Sequence, residues 1–359
     1  MTRFKSLKFF IHQTLALVLL TSFQTSCESK ANSGSQKKQK IHLFIWGEYT
    51  SPTVFRNFFE KTGIEIVESN FASNEEMLAK IQTGADGYDL IVPSDYMVTV
   101  MTKLGLLTPL DKTKIPNLKN IEQSLLNQPY DHKNTYSVPY AWSLVGIVFN
   151  AEKINTPVET YKDLFSRQEL THRFSILDDS REMMGSALKS RGLSANTTND
   201  KDLKEIKDLL LMIKKRCREF NSAPTSQLLQ GDLIAAQMYS NEALKLAQKS
   251  PKFHFSIPRD GFTMAIDNMV IPRASKHPEL AYKLINYLLD PAVNLQFSSD
   301  VLIAPVVQGV YNQLPKSLSR QPAIGPVSAI TAKSEMIFDL GETTKKYDRI
   351  WTELKVHGN

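Results

Sequence analysis

Two short clusters and one isolated acid carry the groups best suited to chemistry. Trp46-Gly-Glu48-Tyr49 and Ser94-Asp-Tyr96 each pack aromatics and polar groups into four or fewer positions. Asp267 lies inside the apolar run Met264 to Ile271, where an unpaired carboxylate costs several kcal/mol, so it calls for a partner. These residue types hold a ligand rather than transform one. There is no phosphate-cradling glycine loop, no H-E-x-x-H, no G-x-S-x-G and no paired Cys/His spacing for a metal. The seven histidines, His12 and His357 among them, form no sequence cluster. The reading is of a binding protein, not an enzyme, with no cofactor and no metal.

Positioning such groups requires elements with open ends. Ile41 to Trp46 is short, apolar and aromatic, as a buried strand is. Ser51-Pro52 then opens a helix with Phe55, Phe58 and Phe59 as its buried stripe, closed by Gly63. Ile64 to Val67 reads as a second strand. Ser73 to Glu76 forms a capping box before a helix that Gly84 stops, and Tyr88 to Val92 reads as a third strand. Strands alternating with helices at this spacing predict a parallel sheet with right-handed crossovers. Such sheets bind ligands at the carboxyl ends of their strands, which is where both clusters fall. A second α/β region runs from about Leu144 to Ile266, with strands at Gly146 to Asn150 and Ala235 to Met238. A strand from Asp267 to Ile271 follows, then an amphipathic helix capped at Ser275 and running to Leu288.

The chain has 359 residues, enough for two cores, and 42% hydrophobic with 22% charged residues is ordinary for a globular protein. Its net charge is +6, and removal of Arg3, Lys5 and Lys8 would halve that. Lys30, Lys37, Lys38 and Lys40 lie in a linker, and no basic stripe alternates with aromatics, so no nucleic-acid partner is expected. The first 27 residues have a cationic head and an apolar stretch from Phe9 to Phe23, as an export signal does. The stretch is too short and too interrupted for a comfortable membrane span. It ends at Thr25-Ser26-Cys27, and a polar tether follows to Lys40. Cys27 so placed resembles a bacterial lipoprotein's lipidated cysteine, although Gln24 stands where such sites carry an apolar residue. Ordinary cleavage leaving a free cysteine is the alternative. Cys217 ends a helical run from Leu203 and is expected as a small apolar residue.

Across residues 42 to 355 the chain resembles the periplasmic spermidine/putrescine-binding proteins, the capture subunits of bacterial polyamine ABC importers. The stretches that carry the resemblance include Trp46-Gly-Glu-Tyr49, Ser73-Asn-Glu and Tyr88-Asp-Leu-Ile-Val-Pro-Ser94-Asp-Tyr96. Further along stand Tyr136-Ser-Val-Pro-Tyr, Leu177-Asp-Asp-Ser-Arg-Glu182, Asn196-Thr-Thr, Phe220-Asn-Ser222 and Ile266-Asp267-Asn268, in order. The resemblance implies a two-lobe α/β clamshell with crossing hinge strands. One lobe would be 41–143 with 267–311, and the other 144–266 with 312–359. It implies a periplasmic, monomeric protein with a permease and an ATPase as partners.

It also implies a site. Asp179 and Glu182 would hold one end of a polyamine and Asp267 an amine further along. Trp46, Tyr49, Tyr96 and Tyr239 would wall the methylenes, with Ser94 and Ser222 as polar contacts and Glu48 as an acid at the mouth. Asp-Ser-Arg-Glu is also a helix start, so capping by Asp179 is the competing reading. This chain departs from the family at Ala265, where a stacking Trp is usual, and at Ile303 and Ile337, where polar contacts are usual. Asp95 stands where a neutral hydroxyl is usual and would add negative charge. Another small cationic solute on the same fold, or a surface lipoprotein without transport, are the alternatives.

Overall fold

The computed structural model describes residues 39–84, 87–331 and 333–356. The expected signal segment 1–27, Cys27 and the tether up to Lys38 lie outside the described residues. Gln39 and Lys40, expected as tether, already belong to the first strand.

Nine strands form one sheet: β1 Gln39–Trp46, β2 Ile64–Phe71, β3 Leu90–Ile91, β4 Ser137–Asn150, β5 Phe174–Ile176, β6 Glu219–Phe220, β7 Ala235–Tyr239, β8 Phe253–Ser256 and β9 Met264–Val270. Their order is β2-β1-β3-β9-β4-β7-β5-β6, with β8 paired to β4. β1 pairs parallel with both β2 and β3, as the alternation of strand and helix predicts. β9 enters antiparallel between β3 and β4, so the sheet is mixed.

β4 is the element on which the architecture turns. All fourteen of its residues are buried, as expected for a strand covered on both faces. Ser137 to Leu144 pair with β9, whereas Val145 to Asn150 pair with β7 and β8. It takes in Ser137 to Tyr140, whereas the sequence places the strand's start at Gly146. Gly146 is fixed by close approach: a Cβ there would stand 2.4 Å from Phe255 Cζ and 2.6 Å from the Ser256 carbonyl oxygen.

Two large apolar cores lie along this strand. The first gathers Ile41, Phe44, Phe58, Ile91, Trp142, Ile266 and Leu284, and takes in Leu314, Leu318, Ile324 and Ile330. The second gathers Phe149, Tyr161, Phe174, Met184 and Leu210, and is completed by Tyr347, Ile350 and Leu354 of the last helix, Thr344–Val356. The fold is therefore a two-lobe α/β fold with β4 common to both. Among the described residues no helix is long and apolar enough to cross a membrane.

Several helix ends follow local chemistry. Ser51 caps Pro52–Thr62 by accepting from Val54 N, and Gly63 ends it at φ 69°. Within that helix Val54 and Phe58 are buried, but Phe59, expected in the stripe, is exposed. Ser73 caps Asn74–Gln82, and Glu76 Oε2 accepts from Ala72 N at 2.9 Å. The helix Pro278–Leu288 is capped at His277 rather than Ser275, whose hydroxyl instead donates to Asp89 and accepts from His277 N. Cys217 ends the helix Asp200–Arg216 and is buried, and burial pushes its thiol up to about 12.

Candidate functional site

Asp267 sits in the middle of β9, 6% exposed. Burial of a carboxylate demands donors, and two hydroxyls from distant segments supply them. Tyr49 Oη donates to Oδ2 at 2.7 Å and Ser94 Oγ to Oδ1 at 2.8 Å. Ser94 precedes the helix Asp95–Lys103 yet makes no side-chain cap, because its hydroxyl is committed to Asp267. Desolvation pushes the Asp267 carboxyl up to about 6 against the pull of these two bonds. Tyr49 is held in turn by Tyr140, whose hydroxyl donates to the Tyr49 carbonyl oxygen at 2.9 Å and whose ring lies 5.7 Å from its own.

A second pair of acids stands on the helix Ser180–Lys189. Asp179 is its cap, with Oδ1 accepting from Arg181 N at 2.9 Å and Glu182 N at 3.0 Å. Capping is thus realised at this residue, and it uses only one of the two oxygens. Glu182, one turn in, is 4% exposed and accepts from Thr263 Oγ1 at 2.5 Å. Desolvation, with repulsion from Asp179, pushes its carboxyl up to about 8. Asp179 is raised by the same cause.

Both groups of acids act on Tyr239. The negative charges of Asp179, Glu182 and Asp267 all help raise the Tyr239 hydroxyl, whose largest cause is burial. Asp267 likewise helps raise Asp95, which desolvation pushes up to about 7. Asp95 itself is 2% exposed and accepts from Tyr96 N at 2.7 Å and Ile266 N at 3.2 Å. It is a brace between the Asp95–Lys103 helix and β9.

Arg181 is the buried counter-charge. Its guanidinium donates to the Phe338 carbonyl oxygen at 2.9 Å and Asn196 Oδ1 at 3.1 Å, and lies 4.8 Å from the Tyr347 ring centre.

The remaining expected residues divide. Tyr96 faces this neighbourhood: it accepts from Asn74 Nδ2 at 3.1 Å and donates to Glu75 Oε1 at 2.9 Å, and its hydroxyl is raised by burial, then by Glu75 and Asp179. Trp46 packs on Phe71 with ring centres 4.6 Å apart, and its buried indole N–H finds no partner among the described residues. Glu48 is exposed on a left-handed turn at φ 54°. Ser222 is exposed, and its hydroxyl accepts from Asp178 N at 3.1 Å, so it steadies the loop that leads into Asp179. Ala265, two residues from Asp267 and so on the same strand face, is half-buried, while Ile303 and Ile337 are buried.

Glu75, Tyr140, Thr263 and Arg181 were missing from the expected site. Glu75 has accessible surface, yet desolvation and then Asp179 raise its carboxyl, as for a group facing a cleft rather than open water. Its signal is present in Ser73-Asn-Glu, one of the stretches that carry the family resemblance. Among the described residues no group of acids, histidines or cysteines has the geometry for a metal ion.

The chain is similar to known proteins along most of its length. The family model for bacterial extracellular solute-binding proteins matches residues 53–326. A putrescine/cadaverine-binding protein of Pseudomonas aeruginosa is 30% identical over 332 residues, covering 89% of this chain and 94% of that protein. A spermidine/putrescine-binding periplasmic protein of Haemophilus influenzae is 31% identical, covering 92% and 94%. A solved structure of a spermidine/putrescine ABC transporter substrate-binding protein from Streptococcus pneumoniae superposes at a TM-score of 0.80 with 30% identity, covering 89% and 100%. The TpPotD lipoprotein of Treponema pallidum superposes at 0.80 with 28% identity, covering 88% and 99%. The chain belongs to the bacterial extracellular solute-binding proteins.

Proposed function

We propose that this chain captures a polyamine, putrescine or spermidine, for an ABC importer, closing two lobes on it. The reading rests on one observation above all. Three carboxylates from two distant segments, Asp179 and Glu182 on one helix and Asp267 on β9, are buried or half-buried among tyrosines, with their carboxyl groups raised. Such acids are held uncomfortably without a cation and are relieved by one. Ammonium groups would meet the acids, and Trp46, Tyr49, Tyr96 and Tyr239 would line the methylenes. Glu48 would close the mouth and Ser94 and Ser222 would support the acids. Capping leaves Asp179 Oδ2 for the ligand. The names of the similar proteins, which speak of putrescine, cadaverine and spermidine, favour the same ligand class.

The lobes in this reading are 41–143 with 267–330, and 144–266 with the C-terminal segment. The return to the second lobe is drawn after Ile330 rather than at 312, because Leu314 to Ile330 pack in the first core. The protein is periplasmic and monomeric, delivers its ligand to a permease and an ATPase, and is anchored through a lipid on Cys27. The similarity to a lipoprotein of Treponema pallidum supports the anchor. Its loss of lipid mass in Cys27→Ser, read by mass spectrometry, tests it.

Calorimetric titration of ligand-free protein with putrescine and spermidine tests the function. One-to-one binding of at least one of them is expected. Silence from both, on folded and empty protein, overturns the reading.

A further inference from the structure

A cation of the chain's own stands against Glu48, the acid that the polyamine reading puts at the mouth of the cleft. Lys245 lies on the helix Ser240–Lys249, which begins directly after the site residue Tyr239. Its ammonium donates to the Glu48 carbonyl oxygen at 3.2 Å and to Glu242 Oε1 at 2.8 Å, and stands 3.7 Å from Glu48 Oε2. The Lys245 side chain is only 20% exposed, against 84% for Glu48. The helix that carries it is anchored: Leu244 packs in the first core, Asn241 is buried and Ser240 Oγ accepts from Leu144 N. Lys245 is therefore held in place against the loop that bears Trp46, Glu48 and Tyr49.

We propose that Lys245 limits the length of ligand the site accepts, by occupying with its own ammonium the Glu48 oxygens that the far amine of a longer polyamine would need. This rests on the polyamine reading. Two ammonium groups find partners deeper in, one at Asp179 and Glu182 and one at Asp267. A third, carried further out by another methylene chain, meets a carboxylate already engaged and a like charge beside it. Such a juxtaposition selects by repulsion as well as by attraction. The chain thus favours a diamine over a triamine.

Calorimetric titration of the full chain and of Lys245→Gln with putrescine and spermidine, at one fixed salt concentration, tests this. The wild type is expected to bind putrescine more tightly. In Lys245→Gln the ratio of spermidine to putrescine affinity is expected to rise about threefold, the scale of an ion pair whose carboxylate is exposed. Adding Glu48→Gln to that variant is expected to remove the gain. Should Lys245→Gln fail to fold, Lys245→Met keeps the apolar stem and carries the same comparison. A wild type that prefers spermidine, an unchanged ratio in a variant that still binds, or a gain that survives Glu48→Gln overturns the inference while the polyamine reading stands. A wild type that binds neither ligand overturns both.

Discussion

Asp267 carries the most exposed consequence of any single residue, because its carboxylate has two hydroxyl donors and, among the described residues, no protein cation. If it pairs with a ligand ammonium, Asp267→Asn leaves that ammonium buried and unmatched. Putrescine affinity is then expected to fall by at least about 100-fold in calorimetry, while the empty protein folds normally. Equal affinity would remove Asp267 from the site. Tyr49→Phe is milder. It deletes the 2.7 Å bond that favours the ionised form, so the carboxyl of Asp267 rises further and affinity at neutral pH is expected to drop about tenfold. At pH 8.5, where the carboxyl ionises regardless, the deficit is expected to narrow. A deficit that ignores pH would mean that Tyr49 acts through its ring alone.

At the scale of the element, Asp179 has two jobs that can be separated. Asn caps a helix about as well as Asp, whereas Ala costs about 1 kcal/mol. Asp179→Asn is therefore expected to keep the denaturation midpoint and weaken polyamine binding, and Asp179→Ala to lose both. Binding unchanged in Asp179→Asn would leave only the cap. β4 offers a separate test: Gly146→Ala drives a methyl group into Phe255 and the Ser256 carbonyl, and is expected to destabilise the fold by about 1–3 kcal/mol in urea. Much of this was legible beforehand. Ser51-Pro52, Ser73 and Gly63 announced their helix ends, because capping is a contact between neighbours in sequence. The length of β4 was not legible, since its burial on both faces erases the alternation that marks a half-exposed strand. Arg181 and Thr263 were missed for a related reason. Their partners, Phe338, Asn196 and Glu182, are brought to them by the tertiary fold and leave no spacing to read.

The whole molecule should report its buried acids in its stability. Unfolded carboxyls titrate near pH 4, whereas Asp267, Asp95 and Glu182 hold their protons to about 6, 7 and 8. Between those limits the folded state binds more protons than the unfolded one, so stability falls as pH rises and the loss is complete above about pH 8. The melting temperature of the empty protein is expected to be lower at pH 8 than at pH 5, and the gain on adding putrescine larger at pH 8. A melting temperature that climbs over this range would contradict the burial of these groups. Tyr347 has a further consequence, in time rather than in energy. It lies in the second core with its hydroxyl on the Thr197 carbonyl oxygen, 150 residues earlier, and the first core waits for β9 and for Leu314 to Ile330. Neither core is complete until residues 314 to 354 have been made, so the one-after-another folding open to tandem domains is closed to these interleaved lobes.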